Sequence, residues 1–220
     1  MTIKNTDLNL DHLNLEKKKV KFGNNTTFIK PTYIKSDCPL LEFPWLPLSV
    51  FGVPPISQYT KEDKQRMFIK VPIETGDLYN QLVRIDEKMK THQITLNLDI
   101  FNASHQYEYE PLVKYDEKHN KAYIKVKLDT SYPENKILTE VWHLGGGTKW
   151  QRHFNNIDEF ALCIPFKSDI SMRIKVTSLW IMNNKYGLTI KLKNIEVKPF
   201  QPNHIGFAEF KELMNDKVFA

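Results

Sequence analysis

Six basic side chains fall in three pairs at a spacing of two: Lys125 and Lys127, Arg173 and Lys175, Lys191 and Lys193. Each pair sits where apolar and polar residues alternate. Ile124, Val126 and Leu128 surround the first pair, Met172, Ile174 and Val176 the second, Leu188, Ile190 and Leu192 the third. Period 2 marks a β-strand with one buried face, so both cations of a pair project from the face opposite the core. If the three strands are neighbours, the cations form one patch able to hold phosphates. Aromatic residues crowd the same region: Tyr123, Trp142, Trp150, Phe154, Trp180 and Tyr186, with Lys149 and Arg152 beside Trp150. A cationic groove furnished with rings is what gripping a single nucleic-acid strand requires, because phosphates meet charge while bases stack for about 1–3 kcal/mol each, whatever their sequence. The competing expectation is plain: outward lysines keep a sheet soluble and block edge pairing, and tryptophans anchor cores.

Other constellations are poorer. Gly145-Gly146-Gly147-Thr148-Lys149 has a lysine after glycines but lacks the spacing of a P-loop, and it lies between strands, so it reads as a mobile loop. His143 and His153 flank it without a third metal ligand in view, and the pairs Glu108/Glu110 and Asp158/Glu159 read as solvated acids. No local signature of a nucleophilic triad is present, so the expectation is a protein without catalytic activity or cofactor. Cys38 and Cys163, the two cysteines, read as free buried thiols of a reducing compartment.

The elements that must position these residues follow from patterning. The chain has 220 residues, 31 Lys and Arg against 26 Asp and Glu, and 12 % aromatics. Its pI is near 9.0 and its mean hydropathy −0.46. That is globular composition, with no apolar run long enough for a membrane helix and no secretory signal pattern. The excess charge is local: residues 1–112 hold 14 cations and 14 anions, residues 113–200 hold 15 and 9, and residues 201–220 hold 2 and 3. Residues 1–26 read as a flexible basic arm around Lys17-Lys18-Lys19, residues 27–200 as the binding domain, and residues 201–220 as a C-terminal helical extension. Prolines between Pro39 and Pro55 forbid a helix and leave short edge strands. Asp77 caps a helix whose apolar stripe is Leu78, Leu82, Ile85 and Met89, and Asn156 starts a short one. Residues 94–100 alternate like a strand or extend a helix end. Asn183-Asn184 marks a hairpin, and the apolar phase slips by one at Asn194, which a β-bulge explains. The fold class is mainly β with a few helices: an antiparallel barrel of the oligonucleotide-binding type with an inserted helix and a C-terminal one. A β-sandwich is the competing architecture.

The last hairpin carries a resemblance. Trp180 at a strand end, a turn at Asn183-Asn184, Tyr186-Gly187, the lysine strand with Lys191 and Lys193, and Val197-Lys198-Pro199 resemble the closing hairpin of the single-stranded-DNA-binding proteins of nucleocytoplasmic large DNA viruses. Those are related to the single-strand binders of short-tailed phages. Pro39-Leu40-Leu41-Glu42-Phe43-Pro44 with Phe51-Gly52-Val53, the helix with Ile85-Asp86-Glu87-Lys88, and Tyr109-Glu110-Pro111-Leu112 resemble earlier family segments in order. The resemblance spans roughly residues 27–200. It implies an oligonucleotide-binding barrel that coats single-stranded DNA in viral replication, recombination or repair, in the host cytoplasm's viral factory or the nucleus, beside viral replication proteins and with self-association open. RNA is the alternative strand. By position it implies roles for Lys125, Lys127, Trp180, Tyr186, Lys191 and Lys193. The mildly acidic terminus departs from the strongly acidic tail of the phage relatives. Two rival functions remain: a structural β-sandwich of a virion or scaffold, and an enzyme using His143 and His153.

Overall fold

Residues 169–198 fold back on themselves at Asn183-Asn184 into two 14-residue strands, and the computed structural model shows the sheet built outward from this pair. The structure describes residues 2–4, 7–22, 26–34, 36–49, 52–55, 62–73, 76–95 and 107–199. In chain order the strands are β1 (Thr2–Lys4), β2 (Leu13–Phe22), β3 (Thr26–Tyr33), β4 (Ser36–Asp37), β5 (Leu40–Glu42), β6 (Leu46–Pro47), β7 (Phe68–Ile73), β8 (Glu108–Glu110), β9 (Val113–Asp116), β10 (Lys121–Leu128), β11 (Glu140–Gly145), β12 (Thr148–Arg152), β13 (Asp169–Met182) and β14 (Lys185–Lys198). The helices are α1 (Asp63–Arg66), α2 (Asp77–Thr95) and α3 (Ile157–Leu162). The protein is mainly β with a few helices.

The pairing traces a five-membered circuit. β13 runs antiparallel to β14, β14 parallel to β10, and β10 antiparallel to β7. In β7, Lys70 exchanges both backbone hydrogen bonds with Gly52, each 2.9 Å long. The segment leading to Gly52 carries β5 and β6, which run antiparallel to β13 and return the circuit to its start. One wall is thus a single bridge, which leaves an open, mixed sheet consistent with an OB-like β fold. The expectation of a wholly antiparallel sheet does not hold. β14 lies parallel to β8, β10 and β11, which share its edge away from β13, and β1 lies parallel to β5. Along that edge β8 covers residues 185–187, β10 covers 191–192 and β11 covers 194–197. Residues 188–190 have no strand there among the described residues.

Two bulges keep the core on one side of the long pair. Arg173 faces Asn194 but Ile174 faces Leu192, so Lys193 is the extra residue at the place where the sequence slips phase. Val176 faces Ile190 while Ser178 faces Thr189, which leaves Thr177 unmatched. With these corrections Ile170, Met172, Ile174, Val176, Leu179 and Ile181 are all buried, as are Tyr186, Leu188, Ile190, Leu192, Ile195 and Val197.

The expected helices form. α2 buries Leu78, Leu82, Ile85 and Met89, and the side chain of Asn156 accepts the Glu159 N–H at 2.8 Å to cap α3. Three expectations need correction or lie out of reach. Residues 13–22, read as part of a flexible arm, form β2 against β3, with Leu8 and Leu10 buried ahead of the strand and Leu13 buried at its start; burial of these leucines favours the docking. The glycine string is a tight turn, because Gly146 (φ 58°) and Gly147 (φ 76°) take the left-handed conformations that a two-residue hairpin joining β11 to β12 demands. In the 94–100 stretch, Ile94 and Thr95 end α2, and the remainder, like the C-terminal helical extension, lies outside the described residues. Cys38 and Cys163 are buried free thiols; burial pushes Cys38 up to about 11.

α2 is tied to the sheet by one carboxylate. Asp86 is buried and accepts from the Tyr109 hydroxyl (2.7 Å), the Leu112 N–H (2.9 Å) and the Val113 N–H (3.2 Å). Desolvation lifts its affinity for a proton, and the three donors pull it partly back. Removing the acceptor strands three donors, one buried and two half-buried. Asp86→Ala should therefore cost about 3 kcal/mol and Asp86→Asn less, read from urea midpoints at unchanged m-value.

Candidate nucleic-acid interface

The register places three of the predicted cations in one row. Lys127 of β10 pairs with Lys191 of β14, and Lys191 pairs with Lys175 of β13. Paired residues share a face, so the row crosses three neighbouring strands at intervals of about 4.8 Å. Lys125 lies two residues along β10 and pairs with Lys70 of β7.

Beside this row opens a cleft of ≈ 570 Å³. Lys125 and Lys127 form one wall, Thr26 and Phe28 of β3 another, and Glu110 to Lys114 a third. Trp180, Met182 and the uncovered stretch 188–190 complete the lining. Trp180 and Phe28 are half-buried partners across β13 and β3. Trp180 also sits opposite Gly187. A Cβ on Gly187 would come within 2.9 Å of both the indole and the Glu110 carbonyl oxygen, so the close approach of ring, strand and loop needs glycine there. The Glu110 loop is held by Asp86 on one side and by β8 against β14 on the other.

The cleft's cations are poorly compensated. Lys114 bonds Glu110. Lys125 and Lys127 have no carboxylate partner among the described residues. Lys125 instead lies 3.8 Å from the centroid of the Phe68 ring, and Lys70 lies 5.0 Å from that of Tyr123. Burial, then repulsion from Lys114, Lys127 and Lys70, holds Lys125 below the ordinary lysine range; burial and Lys191 do the same to Lys127. Ammonium groups forced together at a partly desolvated surface form a site that an anion would relieve.

Of the remaining predicted cations, all but Arg152 have a carboxylate partner. Asp129 accepts from Lys191 (3.1 Å) and from Lys193. Lys175 pairs with Asp37 at 3.1 Å, Arg173 with Glu42 at 3.2 Å, and Lys149 with Glu196 at 2.6 Å.

The predicted rings scatter. Tyr186 was expected in the groove, but β14 parity sends it inward with Leu188 and Ile190, where it is 1 % exposed and packs on Tyr109 at 5.0 Å between centroids. It cannot stack on a ligand. Trp142 shares the outward face with Lys149, whose ammonium lies 5.1 Å from its ring. Trp150 and Arg152 pair with His143 and Val141, on the hairpin's opposite face, so the structure does not bring them to the cleft. His143 is buried with Nε2 2.6 Å from the Cys163 carbonyl; His153 is exposed. Burial lowers the proton affinity of His143. Phe28 and Lys114 were missed. Phe28 alternates with the core residues Ile29 and Pro31, a signal present in the sequence; Lys114 is placed only by its pairing with Tyr123.

No protein-family model and no curated protein matches the sequence. The chain is similar to the single-stranded DNA-binding protein gp2.5 encoded by bacteriophage T7, at 11 % identity and a TM-score of 0.41, over 80 % of this chain and 94 % of that one.

The crowded lysines give a direct test. In side-chain NMR titrations Lys125 and Lys127 should deprotonate before a solvated lysine does. Their depressed values mean that the charged form is penalised in the fold, fully below the folded value, with relief as pH rises through it. In Lys127→Gln, Lys125 should titrate at higher pH than in the wild type. An unmoved Lys125 would show that the two ammoniums do not share a field.

Proposed function

We propose that this chain binds single-stranded nucleic acid, with DNA as the physiological strand, and does so without catalysis. The observation that carries the reading is the meeting of Lys125 and Lys127, cations without carboxylate partners, with the half-buried Trp180 and Phe28 in one cleft. Phosphates take the lysine wall while a base lies against the rings, a division of labour indifferent to base identity. The β14 edge at residues 188–190, which carries no strand among the described residues, lines the cleft between those walls. In this reading the protein serves viral DNA replication, recombination or repair, at the site of viral DNA synthesis and together with replication proteins, as the hairpin resemblance implies.

The decisive experiment reverses two charges. Lys125→Glu with Lys127→Glu should weaken oligothymidine binding at least roughly ten-fold at low salt and flatten the plot of log affinity against log salt by about 1.4, two phosphate contacts at about 0.7 each. Melting temperature should stay near that of the wild type, since both side chains point outward. Trp180→Ala should remove most of the fluorescence quenching and about 1–3 kcal/mol of affinity. Wild-type affinity in the double variant would overturn the assignment.

A further inference from the structure

Next to the first cleft lies a second of ≈ 250 Å³, on the same outward face. Lys30, Lys175, Lys191 and Lys193 surround it, and Asp37 and Asp129 stand among them. The two clefts adjoin at three points. Lys127 and Lys191 are register partners, Phe28 and Lys30 share a face of β3, and the Thr177 hydroxyl, on the bulge residue, donates to the Thr189 carbonyl at 3.2 Å.

Each aspartate bridges two lysines. Asp129 receives Lys191 and Lys193; Asp37 receives Lys175 at 3.1 Å and Lys30 at 2.8 Å. Four ammonium groups thus line the cleft with two carboxylates, and Lys30 also reaches Glu16 at 3.6 Å outside it, so the cluster as a whole keeps an excess of one positive charge. A carboxylate spanning two ammoniums presents two anionic oxygens to them, as the non-bridging oxygens of a phosphodiester would. Burial pushes Asp129 up, but the bonds from Lys193 and Lys191 outweigh it and hold it below the usual carboxylate value; the bonds from Lys30 and Lys175 do the same for Asp37. Both are anions whenever the protein meets a strand near neutral pH.

We infer that the second cleft is a further phosphate-binding segment of the same track, and that Asp129 and Asp37 are internal competitors that a phosphate must displace to enter it. The inference rests on the proposed single-strand binding. It divides the track in two. The first cleft is charged and open, so it takes a short strand at full strength. The second yields only to a strand long enough to reach it, and each phosphate there gains the difference between two anions and not the whole attraction. The aspartates thus hold down the affinity for long strands and speed their release.

The test compares thymidine oligomers of about 4 and about 12 nucleotides, within the range one such fold covers. Asp129→Asn should tighten the longer oligomer roughly ten-fold and steepen its salt dependence by about 0.7–1.4, while leaving the shorter one within a factor of about two. Asp37→Asn, at a more exposed position, should act in the same direction with smaller effect and serves if the Asp129 variant melts early. Asp169→Asn, the same charge change at the start of β13, should alter neither oligomer's binding. The inference is overturned if both variants leave the longer oligomer's affinity and salt dependence at wild-type values, or if all three variants tighten both oligomers alike. Wild-type protein that binds neither oligomer at low salt overturns the single-strand reading and this inference together. Binding by the wild type with no gain in the variants overturns this inference alone.

Discussion

A β-strand offers each side chain two destinations, and the cleft exists because the β13–β14 pair keeps its apolar residues on one side through two bulges. Without the extra residues Thr177 and Lys193, the phase beyond each would invert. Leu179 and Ile181, or Ile195 and Val197, would then face water, and the row of Lys127, Lys191 and Lys175 would not lie beside a ring wall. The same constraint removes Tyr186 from the surface and leaves Trp180 on it. The bulge residue Thr177 also supplies the hydroxyl that joins the two clefts.

The walls are set by groups that resist being moved. Asp86 gathers three donors from the segment 109–113 and binds it to α2, whose Gln81 and Lys88 in turn hold the Leu8 and Leu10 carbonyls. The helix is therefore a brace between the segment just ahead of β2 and the stretch that leads into β9 and Lys114. Gly187 sets how near that loop comes to the tryptophan. Charge is arranged with equal economy: among the described residues Lys125 and Lys127 of the first cleft lack carboxylate partners, while Lys175 and Lys191 beyond it have them.

Much of this was legible in the sequence because alternation is local. The period-2 runs around Lys125, Arg173 and Lys191, the stripe of α2, the Asn183-Asn184 turn and the slip near Asn194 all appear as observed elements. What could not be read depends on partners far along the chain. Asp129 lies 62 residues from Lys191, and Asp37 lies 138 from Lys175, so no local pattern announces that these cations are neutralised. The parallel pairing of β10 with β14 is equally remote, and so is the separation of Trp142 from Trp150 across a hairpin. Residues 13–22 misled for a different reason: their lysines dominate the composition, while the leucines that bury, Leu8, Leu10 and Leu13, lie ahead of those lysines.

The uncovered edge at residues 188–190 has a thermodynamic corollary. The opening lies between two strands, β8 and β10, that are both fixed to β14, so its width is set by the sheet and not by a loop that must close. A guest entering it finds side chains and backbone already in place, and the association loses little conformational entropy on the protein's side. Any ligand of the cleft would therefore meet a surface whose width does not have to adjust.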